Sequence, residues 1–132
     1  MAMHHSPRFL KLVEESKQRI REISAAELQR QLDGKQRFHL LDVREAEEYA
    51  AGHLPGAGHL CKGILERDIE TTVPDFNAEI VLYCGGGFRS ALAADNLQKM
   101  GYTRVSSLAG GWREWVEAGL PTERDSGDST RS

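Results

Sequence analysis

The chain has 132 residues, 39% of them hydrophobic and 28% charged, with a formal net charge of −3. That length suits one ordinary domain and not two, and the composition is that of a soluble folded domain rather than a disordered or membrane chain. The negative balance gives no general attraction for nucleic acid, and the longest apolar run, Ile80-Val81-Leu82-Tyr83-Cys84, falls far short of a membrane span.

In chain order, Met1-Ala2-Met3-His4-His5 lacks the apolar stretch of a secretory signal, so a cytoplasmic location is expected. His4 and His5 read as part of a disordered N-terminus rather than a metal site. Phe9, Leu10, Val13 and Ile20 give Pro7 to Arg21 a modestly amphipathic pattern, with Pro7 suited to a first helical turn. This helix is expected to pack on the domain, a dimer contact being the alternative. Ser24-Ala25-Ala26-Glu27 is a capping box that opens a short helix ended by Gly34. Phe38 to Val43 reads as a buried strand, and Glu45 to Ala51 as a helix stopped by Gly52. Turn chemistry follows in Gly52-His53-Leu54-Pro55-Gly56, then a short strand near His59-Leu60 and a helix over 63–70. Ile80 to Tyr83 is a second buried strand that runs directly into three glycines. Ser90 to Met100 is helical, with Ala93, Leu97 and Met100 on one face and Gly101 at its end. Arg104 to Leu108 is a further strand and Trp112 to Ala118 a last helix, and the polar tail from Arg124 is expected to be disordered. The division expected is a helical extension over 1–21, a domain over 22–123 and a tail over 124–132. Strands alternating with helices indicate an α/β domain around a mostly parallel sheet.

Cys61 and Cys84 are the only cysteines, too few for a disulfide framework and consistent with a reducing compartment. No His/Cys group has metal-ligand spacing, so a zinc site is not expected. Cys84 begins the stretch Cys84-Gly85-Gly86-Gly87-Phe88-Arg89-Ser90, at a strand-to-helix junction where open parallel sheets bind ligands. Two readings fit. One is a flexible turn behind a buried core cysteine. In the other, the amides of residues 85–90 turn inward as an anion nest above the sulfur, and the following helix start adds partial positive charge. Both effects suit a negatively charged sulfur, the nucleophilic form of cysteine. The Arg89-Ser90 ending, with a helix directly behind it, favours the nest. Arg89 either docks an anionic substrate or pairs with a carboxylate to hold the loop. Asp42, at the same sheet edge, is the partner expected.

Taken together, the motifs resemble those of the rhodanese-like sulfurtransferases. The resemblance rests on Asp42-Val43-Arg44-Glu45 with Glu48-Tyr49, on Gly52-His53-Leu54-Pro55-Gly56-Ala57, on the Cys84 to Ser90 loop, and on Leu108-Ala109-Gly110-Gly111-Trp112, in that order. It implies a central five-stranded parallel sheet with helices on both faces. It also implies a Cys84 persulfide that takes sulfane sulfur from a thiosulfate-like donor and passes it to cyanide or a thiol. The loop Gly85 to Ser90 would hold that persulfide, with Asp42 and Arg44 as support and no cofactor. The implied partners are a small-molecule sulfur donor, a thiol or cyanide acceptor and a protein sulfur acceptor, with no nucleic acid or membrane; the chain is expected to be a monomer or weak homodimer. Phe88 departs from the polar residue frequent before the loop arginine, and His59-Leu60-Cys61 stands where proline is often found.

Bland roles fit several of these residues: an ion pair for Asp42 and Arg44, turn hydrogen bonds for His53, a close turn for Gly110 and Gly111, and packing for Trp112 and Trp115. Three functions stay open. They are a sulfurtransferase or persulfide carrier, a cysteine phosphatase or arsenate reductase, and a regulatory or sulfur-carrier interaction module. Four residues separate Cys84 from Arg89, whereas cysteine phosphatases resemble one another in having five. One residue adds up to about 3.5 Å of chain, so the shorter loop closes a smaller nest. The intact Cys84 argues against an inactive module.

Overall fold

The computed structural model describes residues 5–34 and 36–124. His4 and the tail beyond Arg124 lie outside those residues, whereas His5, expected to be disordered with His4, packs its ring on Phe9 and Phe88. Eleven elements follow one another: α1 (Pro7–Lys17), β1 (Arg21–Ile23), α2 (Ala25–Asp33), β2 (His39–Asp42), α3 (Ala46–Ala51), β3 (Gly58–His59), α4 (Lys62–Thr72), β4 (Glu79–Tyr83), α5 (Phe88–Lys99), β5 (Arg104–Leu108) and α6 (Gly111–Glu117). The strands form one parallel sheet in the order β1-β5-β4-β2-β3. No helix among the described residues is long and apolar enough to cross a membrane.

Buried on both faces, the central strand β4 explains its own continuous apolar sequence. Ile80 and Leu82 face a layer with Leu65, Ile69, Ala93 and Leu97 of α4 and α5. Val81 and Tyr83 face the opposite layer, with Leu28 of α2, Leu54 and Trp115 of α6. Local chemistry fixes the helix starts. Ser24 Oγ accepts the Glu27 amide while Glu27 returns a bond to the Ser24 amide, completing the capping box on α2.

Four of the five strands are visible in the apolar pattern, and the fifth is β1. It has three residues, of which only Ile23 is buried, too short for a periodic signal. Its edge place comes from pairing with β5 through Arg21, Glu22 and Ile23. The expected first helix correspondingly ends early, at Lys17, because Arg21 to Ile23 is taken into the sheet.

Topology creates the crevice. From β2 the chain passes through α3 to β3 at one edge, and from β4 through α5 to β5 on the other side. Connections that leave neighbouring strands in opposite directions open a gap above the carboxyl ends of those strands. Asp42 ends β2 and Tyr83 ends β4, so the Cys84 loop rises at that gap.

Helix α1 lies on α5. The carboxylate of Asp95, 4% exposed, receives Arg19 Nη2 at 2.7 Å, Arg19 Nε at 3.1 and 3.2 Å and Ser16 Oγ at 3.2 Å. The Arg19 hydrogen bond is the main cause that holds the Asp95 carboxyl below its ordinary range. A carboxylate so depressed adds stability above its unfolded value, about 3.9, and loses that contribution as pH falls through the lower folded value. NMR shifts of α1 should therefore stay constant down to about pH 4 and move only below it. Asp95→Ala should open α1 to trypsin at Lys11 and Lys17 on the order of tenfold faster at neutral pH. An unchanged cleavage rate would show that apolar packing alone holds the helix.

Candidate active site

Cys84 follows the last residue of β4, and its side chain is 1% exposed. The sulfur is the focus of the loop: Gly87 N lies 3.2 Å from Sγ and Ser90 N 3.3 Å, both donating to it. Ser90 Oγ, 3.5 Å away, can accept the thiol proton and is itself paired with Ser107 Oγ at 2.8 Å. Phe88 and Arg89 occupy the first turn of α5, where amides have no carbonyl partner within the helix. Two amides and a helix start thus present positive charge to the sulfur.

Each of the three glycines has its own reason. A Cβ on Gly85 would lie 3.2 Å from Arg89 Nη2, and one on Gly86 would lie 3.3 Å from Arg113 Nη1. The first two glycines therefore admit two guanidinium groups. Gly87 has φ +91°, and a Cβ there would overlap the Ala109 carbonyl oxygen at 2.1 Å. The third glycine is a backbone necessity. The flexible-turn reading does not fit a loop held in this way.

On the far side, α6 takes the carbonyls of the loop. Trp112 N donates to Cys84 O at 2.8 Å and Arg113 N to Gly85 O at 2.9 Å. That approach needs Gly111, whose φ is +60° and whose Cβ would sit 2.5 Å from Cys84 O. The close turn expected at Gly110-Gly111 is present.

The structure corrects one pairing. Arg89 does not meet Asp42: its Nη1 and Nη2 donate to Glu48 Oε1 and Oε2 at 3.0 and 3.3 Å. Asp42 is taken instead by Arg44, two residues along. Arg44 Nε lies 3.0 Å from each carboxylate oxygen, Nη2 lies 2.7 Å from Oδ2, and the Arg44 amide also donates to Oδ1. The same Nη2 donates to Gly52 O at 2.6 Å, and the guanidinium stands 4.8 Å from the Trp112 ring centre. Asp42 and Arg44 are both buried, their side chains 0% and 4% exposed. The Arg89–Glu48 bridge crosses the crevice from α5 to α3. Its Glu48 oxygen also accepts the Glu45 amide that caps α3. Glu48 is held below its ordinary range, chiefly by the Arg89 hydrogen bond, so the bridge persists above about pH 4 and loosens as pH falls below it.

Other residues take quieter positions. His53 exchanges backbone bonds with Glu123 at 2.7 and 2.8 Å and contacts Tyr49 O through Nδ1. Trp115 is buried and donates to Pro121 O. Cys61 caps α4 and lies 3.5 Å from Glu45 Oε2, outside the cleft around Cys84. No cluster of potential metal ligands occurs among the described residues.

The cleft above Cys84, about 610 Å³, is lined by Glu48, Gly85, Gly86, Arg89, Arg113 and an aromatic wall of His5, Phe9 and Phe88. Sequence reasoning missed Arg113 and Ser107. Ser107 left a signal, because Ser106-Ser107 interrupts an otherwise apolar buried strand. Arg113 left none, since only the Gly111 turn brings it to the loop.

Gly87→Ala should destabilise the protein by more than about 2 kcal/mol, adding left-handed strain to a backbone overlap. Gly86→Ala, which meets only the flexible end of Arg113, should cost less than about 1 kcal/mol. Equal losses in urea denaturation would show that the two glycines serve the same purpose.

Comparisons with known proteins agree with this geometry. The model of the rhodanese-like domain family matches residues 24–118. Thiosulfate sulfurtransferase PspE of Escherichia coli is 38% identical over 72 residues, covering 54% of this chain and 69% of PspE. YrkF of Bacillus subtilis, described as a "putative sulfur carrier protein", is 35% identical over 97 residues, covering 74% of this chain; the chain spans about half of YrkF's length, 51%. A Rhodopseudomonas palustris structure described as a protein of unknown function and "possible tyrosine phosphatase" superposes with a TM-score of 0.81 at 28% identity, covering 93% of this chain and 99% of that one. With the family model spanning most of the domain and the loop, crevice and sheet in place, this chain belongs to the rhodanese-like domain family.

Proposed function

We propose that this protein is a sulfurtransferase in which Cys84 carries sulfane sulfur as a persulfide. The observation that carries the reading is the pair of amides, Gly87 N and Ser90 N, directed at Sγ from the start of α5. A thiolate attacks the outer sulfur of thiosulfate. The new Sγ–S bond forms as the donor's S–S bond breaks, and sulfite leaves with the bonding electron pair. Cyanide or a thiolate then attacks the terminal sulfur, leaving as thiocyanate or a persulfide and returning Cys84 to thiolate. The loop amides hold negative charge in both states, while Arg89, engaged by Glu48, keeps the loop on α3. The likeness to PspE supports a thiosulfate-type donor, and that to YrkF supports passage of sulfur to a protein acceptor. A reducing, cytoplasmic setting suits two free cysteines.

The description of the Rhodopseudomonas palustris neighbour makes phosphate ester hydrolysis the competing chemistry to test. A tetrahedral phosphate needs three oxygens held around the sulfur, whereas one sulfur atom needs only the centre of the nest. The loop's four residues between Cys84 and Arg89 favour the smaller group.

Intact mass should show a gain of one sulfur atom after thiosulfate, and its loss after cyanide. Cys84→Ser should abolish this and Cys61→Ser should leave most of it. Arg89→Ala should slow turnover roughly tenfold by releasing the loop from α3. Cys84-dependent hydrolysis of an aryl phosphate, without persulfide formation, would overturn the sulfurtransferase reading.

A further inference from the structure

The cleft above Cys84 holds two guanidinium groups in different circumstances. Arg89 is committed to both oxygens of Glu48. Arg113 has no carboxylate partner and no side-chain hydrogen bond among the described residues, yet its Nη1 lies against Gly86 at the cleft wall. Its backbone is fixed by the Arg113 amide bond to Gly85 O. The cleft therefore has one uncommitted positive charge, next to the residue that follows the nest's first glycine.

Another part of the same lining is aromatic. Phe88 and His5 have ring centres 4.9 Å apart, Phe9 and His5 5.4 Å, and Phe9 and Phe88 6.2 Å. His5 and Phe9 come from the segment before residue 24, outside the family match. Lys17 stands over Phe88, 5.3 Å from its ring centre, which keeps that ring in place against α1. A thiosulfate dianion is strongly hydrated and offers nothing to this wall. An anion with an apolar body suits both features of the lining: its charged head meets Arg113 and its body displaces water from the rings.

We propose that Arg113 is the docking residue for the anionic head of the sulfur donor, and that the cleft selects organic sulfane donors, aryl thiosulfonates as a class, over thiosulfate. This rests on the sulfurtransferase reading of Cys84. In the step, the Cys84 thiolate attacks the sulfane sulfur of R–SO2–S−. The Sγ–S bond forms, the S–S bond to the sulfonyl sulfur breaks, and the sulfinate R–SO2− leaves with the electron pair. One negative charge stays on the persulfide and one leaves with the sulfinate, as two entered. Arg113 holds the sulfonyl oxygens before and after bond cleavage. Its effect is thus on binding the donor rather than on the barrier, which loads the expected loss onto KM.

Benzenethiosulfonate and thiosulfate are compared as donors to full-length protein, with cyanide as acceptor and Cys84→Ser as the background. The wild type should show kcat/KM at least tenfold higher for benzenethiosulfonate. Arg113→Ala should raise KM roughly tenfold for both donors with kcat changed less than twofold, and Arg113→Lys should restore part of the loss. Phe9→Ala should lower kcat/KM for benzenethiosulfonate about fivefold and leave thiosulfate unchanged. Each variant is checked by circular dichroism and by its persulfide mass. Unchanged KM in Arg113→Ala, or no preference for the arene donor, overturns this proposal while persulfide formation keeps the function itself standing. If neither donor yields a Cys84 persulfide, both fall together.

Discussion

A peptide unit has two polar ends, so a loop that turns its amides inward must send its carbonyls outward to find donors. In this protein that requirement is met by α6. The carbonyls of Cys84 and Gly85 receive the amides of Trp112 and Arg113, which are among the helix's own unpartnered first-turn donors. One helix start, that of α5, faces the sulfur from the inside, and another closes the loop from behind. Left bare in a buried setting, each of those carbonyls would cost about 1–3 kcal/mol. The Gly-Gly-Trp segment is therefore as much a part of the nest as the three glycines that form it. Without the left-handed turn at Gly111, α6 could not reach the loop.

The crevice is held open and held together by different devices. Divergent connections from β2 and β4 open it, and the Glu48–Arg89 bridge spans it. That bridge is partly exposed, and exposed ion pairs add little to global stability, typically about 0–1 kcal/mol. Its importance is positional. Beneath it, the buried Asp42–Arg44 pair joins the end of β2 to the Gly52 carbonyl and lies against Trp112. Both charges there are hydrogen-bonded several times over, the condition under which a buried pair is tolerated.

Much of this is legible in the amino-acid pattern. The alternation of short apolar runs with capped helices gives the parallel sheet, and Cys84 at the end of Ile80 to Tyr83 gives the place of the site. What the sequence hides is whatever depends on distance across the crevice. Asp42 and Glu48 both belong to the correct edge, and choosing between them for Arg89 requires the folded distances, in which Arg44 occupies Asp42 and Glu48 is left within reach. Strand β1 is hidden for a different reason. Three residues with one buried side chain carry no period, and their conformation is imposed by β5. Arg113 belongs with the same class of hidden residue, brought to the cleft by a turn and not by any pattern of its own.

Along the loop, the backbone is fastened unevenly. Cys84 and Gly85 are held through their carbonyls, Gly87 through its amide and Ser90 through its amide to the sulfur. Between Gly85 and Gly87, Gly86 makes no backbone hydrogen bond among the described residues. The loop is thus a clasp with a free link. Extra chain inserted there would widen the nest without unfastening α6 or the start of α5, whereas an insertion anywhere else would break a fixed point. A relative that came to accept a bulkier group over the same sulfur has one place to lengthen, and it is at Gly86.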